Sequence, residues 1–261
     1  LALCMLTALT AEIFAADIVA SGYCGGEGDG SNLSWTLDAE GTLAIRGTGK
    51  MGNHGSWERS KVKNVTIESG VTNICADVFK GCTSLYSIAI PTSVTSIGEF
   101  AFAGCGSLVS ITIPYGVDSI ERLTFAGCES LKDIIIPDSV TSIGRGAFEA
   151  CYGLTGINLP DCLDSIGEYA FSGCHFTTVT IPASVRSIGE GAFHGCGNAS
   201  NIRVIEGNTV YDSRDNCNAI IETRTNTLIL GCKNTVIPNT IESIGSFAFS
   251  TADLVNITIP G

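Results

Sequence analysis

The chain has 261 residues and 14 basic against 26 acidic side chains, a formal net charge of −12. A surface this acidic repels phosphate backbones and anionic headgroups, which sets aside nucleic acid and charged membrane surfaces as partners. With 44% hydrophobic residues the composition is that of a folded chain, not of a disordered one.

Residues 1–16 (LALCMLTALTAEIFAA) are apolar, rich in small residues and followed at once by polar, Gly-rich sequence. That order fits the apolar and cleavage regions of a secretory signal, and the stretch is too short to span a bilayer. An apolar first strand or helix is the competing reading. The sequence opens without Met and stops inside a recurring pattern, as a piece of a longer protein would. Residues 17–66 form a front module. Within it Asn32 to Gly47 reads as a hairpin: Trp35 and Leu37 alternate with polar residues, Asp38 to Gly41 turn, and Leu43 and Ile45 return. Both tryptophans, Trp35 and Trp57, lie in this module, which is placed to cover the open end of whatever follows.

Residues 67–261 repeat. Prolines at 91, 114, 137, 160 and 182 and cysteines at 82, 105, 128, 151, 174 and 196 recur every 22 or 23 positions, so two residue types share one period. The unit is I-P-x-S-V-x-S-I-G-x-x-A-F-x-G-C-x-S-L-x-x-I-x-I. Its apolar positions hold register: Val94, Ile97, Ala101, Phe102, Cys105, Leu108, Ile111 and Ile113 become Val117, Ile120, Thr124, Phe125, Cys128, Leu131, Ile134 and Ile136. Ser107 to Ile113 alternates as a strand does, with Ile111 and Ile113 inward and Ser110 and Thr112 outward. Ser93 to Ile97 is a second extended piece, ended by Gly98, where a turn calls for freedom of φ. Glu99 to Cys105 is expected to make about one helical turn. No unit of this size buries its own apolar face, so the expected fold is an α/β repeat solenoid of strand and short helical turn, with an N-terminal β-hairpin cap. A long repeat at about 205–237 departs from the pattern, and its segment Asn218 to Leu230 reads as a protruding hairpin with Asp212, Arg214 and Asp215 at its base.

Units such as IPTSVTSIGEFAFAGCGSLVSITIP and IPDSVTSIGRGAFEACYGLTGINLP closely resemble the BspA-like leucine-rich repeats, a bacterial surface family with relatives in some parasitic protists. SNLSWTLDAEGTLAIRGTGKM and YDSRDNCNAIIETRTNTLILGC are similar to segments that accompany such repeats, so the resemblance covers roughly residues 21 to 261. It implies a secreted or wall-attached solenoid, extracellular or at the cell surface. In characterised members it implies an adhesin for host extracellular-matrix proteins such as fibronectin and fibrinogen. It supplies no catalytic residues. Cys75 and Glu121 depart from it at the Gly of S-I-G, and Ala252 departs from it at the cysteine.

Little else points to chemistry. Gly47 to Gly52 matches G-x-G-x-x-G, but Asn53-His54-Gly55-Ser56 starts no helix. Gly25 to Gly30 (GGEGDG) resembles a calcium loop with its Asp misplaced. The three histidines, His54, His175 and His194, fall in no metal or nucleophile motif, so no enzyme activity, cofactor or metal is expected.

The ladder cysteines Cys82, Cys105, Cys128, Cys151, Cys174 and Cys196 stack with parallel side chains, too far apart at Cβ for disulfides, so free thiols are expected even after export. A turn at Thr223 to Asn226 would set Cys217 opposite Cys232, which is compatible with a cross-strand disulfide or with two free thiols.

What remains is surface. The outward strand positions Ser110, Thr112, Asp133, Ile135, Asn158, Thr178, Thr180 and Arg203 make a wide, flat face of the kind solenoids offer to proteins or glycans. A row of serines, Ser96, Ser119, Ser142, Ser165, Ser187 and Ser243, is expected to satisfy turn backbone instead. The function expected is non-enzymatic adhesion or recognition of host surface proteins, above all extracellular matrix, or of glycans. The alternative is a structural spacer that presents another domain.

Overall fold

The computed structural model describes residues 17–52, 55–250, 252, 254, 258 and 259. The signal-like segment at 1–16, His54 and Asn256 lie outside the described residues. The front module opens with β1 (Ile18–Tyr23), β2 (Leu33–Asp38) and β3 (Thr42–Gly47). The hairpin expected at Asn32 to Gly47 is β2 and β3, antiparallel with Trp35 opposite Ile45 and Leu37 opposite Leu43. Alternation decides its faces, since Leu33, Trp35, Leu37, Leu43 and Ile45 are all buried.

From there each coil contributes two short strands. They are β4 (Asn64–Ile67) and β5 (Asn73–Ile74), β6 (Ser87–Ala89) and β7 (Ser96–Ile97), β8 (Ser110–Thr112) and β9 (Ser119–Ile120), and β10 (Asp133–Ile135) and β11 (Ser142–Ile143). The next coil keeps only β12 (Ser165–Ile166); β13 (Thr178–Ile181), β14 (Ser187–Ile188), β15 (Asn201–Val204) and β16 (Tyr211–Asp212) follow. A hairpin of β17 (Ala219–Glu222) and β18 (Thr227–Gly231) then leads to β19 (Ser243–Ile244). Strands of successive coils pair in parallel and in register: Asp133 with Ser110, Ser142 with both Ser119 and Ser165, Thr180 with Arg203. The front module joins the same sheet, because β3 pairs in parallel with β4.

The stretch expected to be helical is a wall of turns. In Gly98 to Cys105 the amides of Ala101, Ala103 and Cys105 bond carbonyls three residues back. The amides between them, of Phe100, Phe102 and Gly104, cross to the carbonyls of Arg122, Thr124 and Ala126 at 3.1, 2.9 and 2.7 Å. An α-helix keeps every amide bond to itself; here half of them fasten one coil to the next. The coil is therefore strands and turns, not α/β, and the helices among the described residues are two single 3-10 turns, Arg59–Lys61 and Arg214–Asn216. Ala101, Phe102 and Cys105 are spaced to suit either conformation, which is why apolar pattern alone suggests a helix.

Phenylalanine and cysteine rungs fill the interior. Phe79, Phe102, Phe125, Phe148 and Phe171 stack at ring-centroid spacings of 5.4 Å, and Trp57 takes the rung before Phe79 at 5.8 Å. The ladder cysteines are free and buried, as expected. Each thiol from Cys105 to Cys196 donates to a phenylalanine carbonyl of the preceding coil, for example Cys128 to Phe102 at 3.3 Å and Cys151 to Phe125 at 3.2 Å. Thr124, which stands where Ala101 does, stays satisfied in the core by donating to the Glu121 carbonyl at 2.8 Å.

Two finer expectations need correction. Gly98 has no left-handed φ; it is needed because a Cβ there would lie 2.6 Å from the Ala76 nitrogen, and at Gly144 2.8 Å from that of Arg122. The left-handed positions are Gly104 and its equivalents before each cysteine, and the site two residues after S-I-G, where Phe100, Leu123 and Tyr169 adopt φ of 57°, 54° and 54°. The hydroxyls that satisfy turn backbone are those of Ser93, Ser139 and Ser184, which donate to Val71, Val117 and Leu163 carbonyls. In the serine row itself, Ser119 bonds the carboxylates of Asp118 and Glu121, and Ser243 bonds Thr227.

The hairpin does not protrude. β18 stacks in parallel on β19, with Leu228 beside Ile244, and Ile220, Ile221 and Leu228 are fully buried. A bulge between Ile220 and Ile221 shifts the register, so Cys217 and Cys232 no longer face each other. Cys232 joins the main core and Cys217 a smaller cluster with Ile221, Leu228 and Ile237; both are free thiols.

Candidate strand-face site

The outward strand positions stand on the surface but do not form one flat face. Ser110, Thr112, Asp133 and Ile135 lie together on β8 and β10, where Ile135 is 64% exposed. Thr178, Thr180 and Arg203 lie together on β13 and β15. Between the two patches residues 156–158 form no strand and lend no rung to either pair. Gly156 stands in the row there, and a glycine weakens a strand by giving it nothing to pack.

Beside this unpaired rung lies an open hollow of about 600 Å³ lined by Asn158, Asp161, Thr178, Thr180, Arg203 and Ile205. Four of the eight strand-face residues named from sequence thus converge on one cavity, and the other four sit apart from it. Arg203 is exposed, and its Nε donates to Thr180 Oγ1 at 3.2 Å, which fixes the fork of the guanidinium along the rim. On its far side a second, more open hollow is lined by Asn201, Arg203, Ser213, Asn216 and Asn218. A bridge builds this one: Asn218 Oδ1 accepts from the Ile202 amide at 2.5 Å and the Ser213 hydroxyl from the Val204 amide at 2.9 Å, holding the hairpin off β15. Arg203 is therefore the cation between two hollows whose linings carry hydroxyls and amides, with the Asp161 carboxylate and apolar side chains in the first, in a chain of net charge −12. Such a surface can pair a carboxylate through the guanidinium fork and hydrogen-bond a polar backbone or sugar beside it.

Sequence reasoning missed Asp161 and Ile205, which follow the strands rather than sit in them, and Asn218, which reaches the site from the hairpin. The signal for the first hollow was present in Gly156. The two glycine-rich segments near the front pack on each other: Gly25 pairs with Met51, and the Glu27 carboxylate accepts from the Lys50 amide at 3.0 Å. Among the described residues no helix is long and apolar enough to cross a membrane.

A family model for the BspA type leucine rich repeat region matches this chain in six copies, over residues 53–161, 118–229 and 220–261. Among solved structures, a leucine rich cell surface protein from Faecalibacterium prausnitzii A2-165 is 28% identical with a TM-score of 0.68, over 90% of this chain and 76% of that one. A leucine-rich repeat protein from Eubacterium ventriosum ATCC 27560 is 23% identical with a TM-score of 0.60, over 92% of this chain; the chain spans 60% of that protein. The pneumococcal vaccine antigen PcpA shares the fold at 20% identity and a TM-score of 0.66, over 92% of this chain and 71% of that one. No curated protein is similar enough to match.

Proposed function

Because the chain belongs to the BspA type leucine rich repeat family, we propose that it is an exported, non-enzymatic recognition module that binds its partner at the strand face around Arg203. The observation that carries this reading is the guanidinium of Arg203, fixed by Thr180 between two polar hollows. The similarity to a cell surface protein of Faecalibacterium prausnitzii supports the location. The partner is a surface or extracellular-matrix protein of a host, engaged through exposed carboxylates and backbone; a glycan is the other class with matching chemistry. Exposed Ile205 adds apolar area to the polar rim.

The test is a binding screen of residues 17–261 against matrix proteins, mucins and a glycan array. Arg203→Glu and Asn158→Arg are run beside the parent, with Thr112→Arg as the variant outside the hollow. Saturable binding lost in the first two, kept in Thr112→Arg and accompanied by unchanged melting temperatures is the expected result. Absence of binding by the folded protein, or binding that survives both hollow variants, overturns the reading and favours a spacer.

A further inference from the structure

From Asp77 to Ser172 the turn wall hands amides forward to the next coil, and Tyr169 and Phe171 bond the carbonyls of Glu190 and Ala192 at 3.1 and 2.7 Å. The equivalent amides one coil on, of Gly191 and Phe193, point away from the coil behind them and find no backbone acceptor among the described residues. The hairpin is the cause. Leu228 pairs with Ile244, and the Gly231 amide bonds the Ala248 carbonyl, so β18 crosses three residue steps where Ile74 to Phe79, between the same two rungs, takes five. Its shorter path omits the outward left-handed turn found at Phe100, Leu123 and Tyr169, and a notch is left in the wall.

The notch encloses about 580 Å³, a volume typical of small-molecule pockets. Ile229 and Leu230 give it an apolar patch. Phe247, 42% exposed, stands at its rim with its ring 4.7 Å from that of His194 and 6.2 Å from that of Tyr169. Around this apolar surface lie hydrogen-bonding groups of both senses. Gly191 and Phe193 supply amide donors, and Ser246 supplies a carbonyl with no backbone donor among the described residues, although the carbonyl of its counterpart Glu190 accepts from the Tyr169 amide. Glu190 adds a carboxylate that is exposed and in no ion pair among the described residues, whereas its counterpart Glu168 meets Arg145 at 3.7 Å. Among the described residues that line the notch there is no lysine or arginine.

We propose that this notch binds one uncharged pyranose ring, the end of a glycan. A sugar ring carries hydroxyls that both donate and accept around its edge and an apolar face of C–H groups, which matches a lining of donors, acceptors and aromatic surface. The C–H face packs on the aromatic rim at Phe247, and hydroxyl oxygens accept from Gly191 and Phe193. A hydroxyl donates to the Glu190 carboxylate, the strongest of these bonds because its acceptor is charged. The same carboxylate, with no cation beside it, repels acidic sugars. A wholly apolar ligand would cover the two amides without giving them an acceptor, and desolvating them counts against it. The site is on the turn wall, separate from the strand face, and stands or falls independently of Arg203.

The test is a titration of isotope-labelled protein followed at single amides by NMR. The probes are the methyl glycosides of glucose, galactose, mannose and N-acetylglucosamine, with N-acetylneuraminic acid as the acidic sugar. At least one neutral glycoside is expected to bind saturably and shift the Gly191 and Phe193 amides, while the acid leaves them in place. Phe247→Ala abolishes that binding, Glu190→Gln weakens it by about tenfold or more, and Arg203→Glu leaves it intact, with melting temperatures unchanged in all three. Absence of a saturable shift with every neutral glycoside, shifts confined to the strand face and removed by Arg203→Glu, equal binding of the acid, or binding that survives Phe247→Ala each overturn the proposal.

Discussion

At Gly144 an added methyl group would stand 2.8 Å from the Arg122 nitrogen, closer than carbon and nitrogen pack without a shift of backbone. Gly144→Ala is therefore expected to destabilise by about 1–3 kcal/mol, as overpacking does, and chemical denaturation measures it. Phe148 lies between Phe125 and Phe171 with rings 5.4 Å from each, and no neighbour can fold into its place. Phe148→Ala is expected to cost about 3–5 kcal/mol by the same measurement. Burial was legible at this scale, since Ala101, Phe102 and Cys105 occupy the core their register assigns them. The reason for each glycine was not. A composition pattern names Gly98 without saying whether φ or space requires it, and the answer depends on the Ala76 backbone of another coil.

Among elements, the hairpin matters most, because it ends the regular wall and builds the second hollow. Arg214 clamps it: the guanidinium bonds Asp212 in bidentate fashion at 2.8–3.1 Å and reaches Asn226 in the hairpin turn at 2.9 Å. Arg214→Ala leaves the Asp212 carboxylate and the turn without their shared partner, and a loss of about 1–3 kcal/mol is expected in denaturation. The strands of the hairpin were readable from alternation and a turn signal. Its bulge was not, and with it went the facing of Cys217 and Cys232. The turn wall escaped for a different reason: helix and stacked turns bury the same apolar spacing, and only the destination of the amides separates them. That destination is a property of the neighbouring coil.

For the molecule as a whole the ladder of thiols makes a sharp pH signature. Burial pushes the thiols of Cys82, Cys151 and Cys196 up to about 12 from an ordinary 9.0, and those of Cys105, Cys128 and Cys174 further still. Below pH 9 folded and unfolded chains hold these protons equally, and the contribution to stability is constant. Above it the unfolded chain ionises first, so stability is expected to fall as pH rises above about 9. Thermal melts across that range check the slope, which Cys128→Ala should lessen. In the native state of residues 17–261, a thiol reagent is expected to label Cys162, which is exposed, ahead of the ten buried cysteines.

The repeat, its period and the strand-face residues were all visible in one sequence because each coil restates them. The hollow beside Arg203 was not, because it arises where a coil fails to restate them, at Gly156. That failure is the centre of the functional account. The measurement that tests it most directly is hydrogen exchange of the chain with and without the ligand captured by the binding screen. Protection concentrated on residues 178–181 and 201–204, and absent in Arg203→Glu, is the predicted result; protection confined to β8 and β10, or to surfaces away from both hollows, would contradict it.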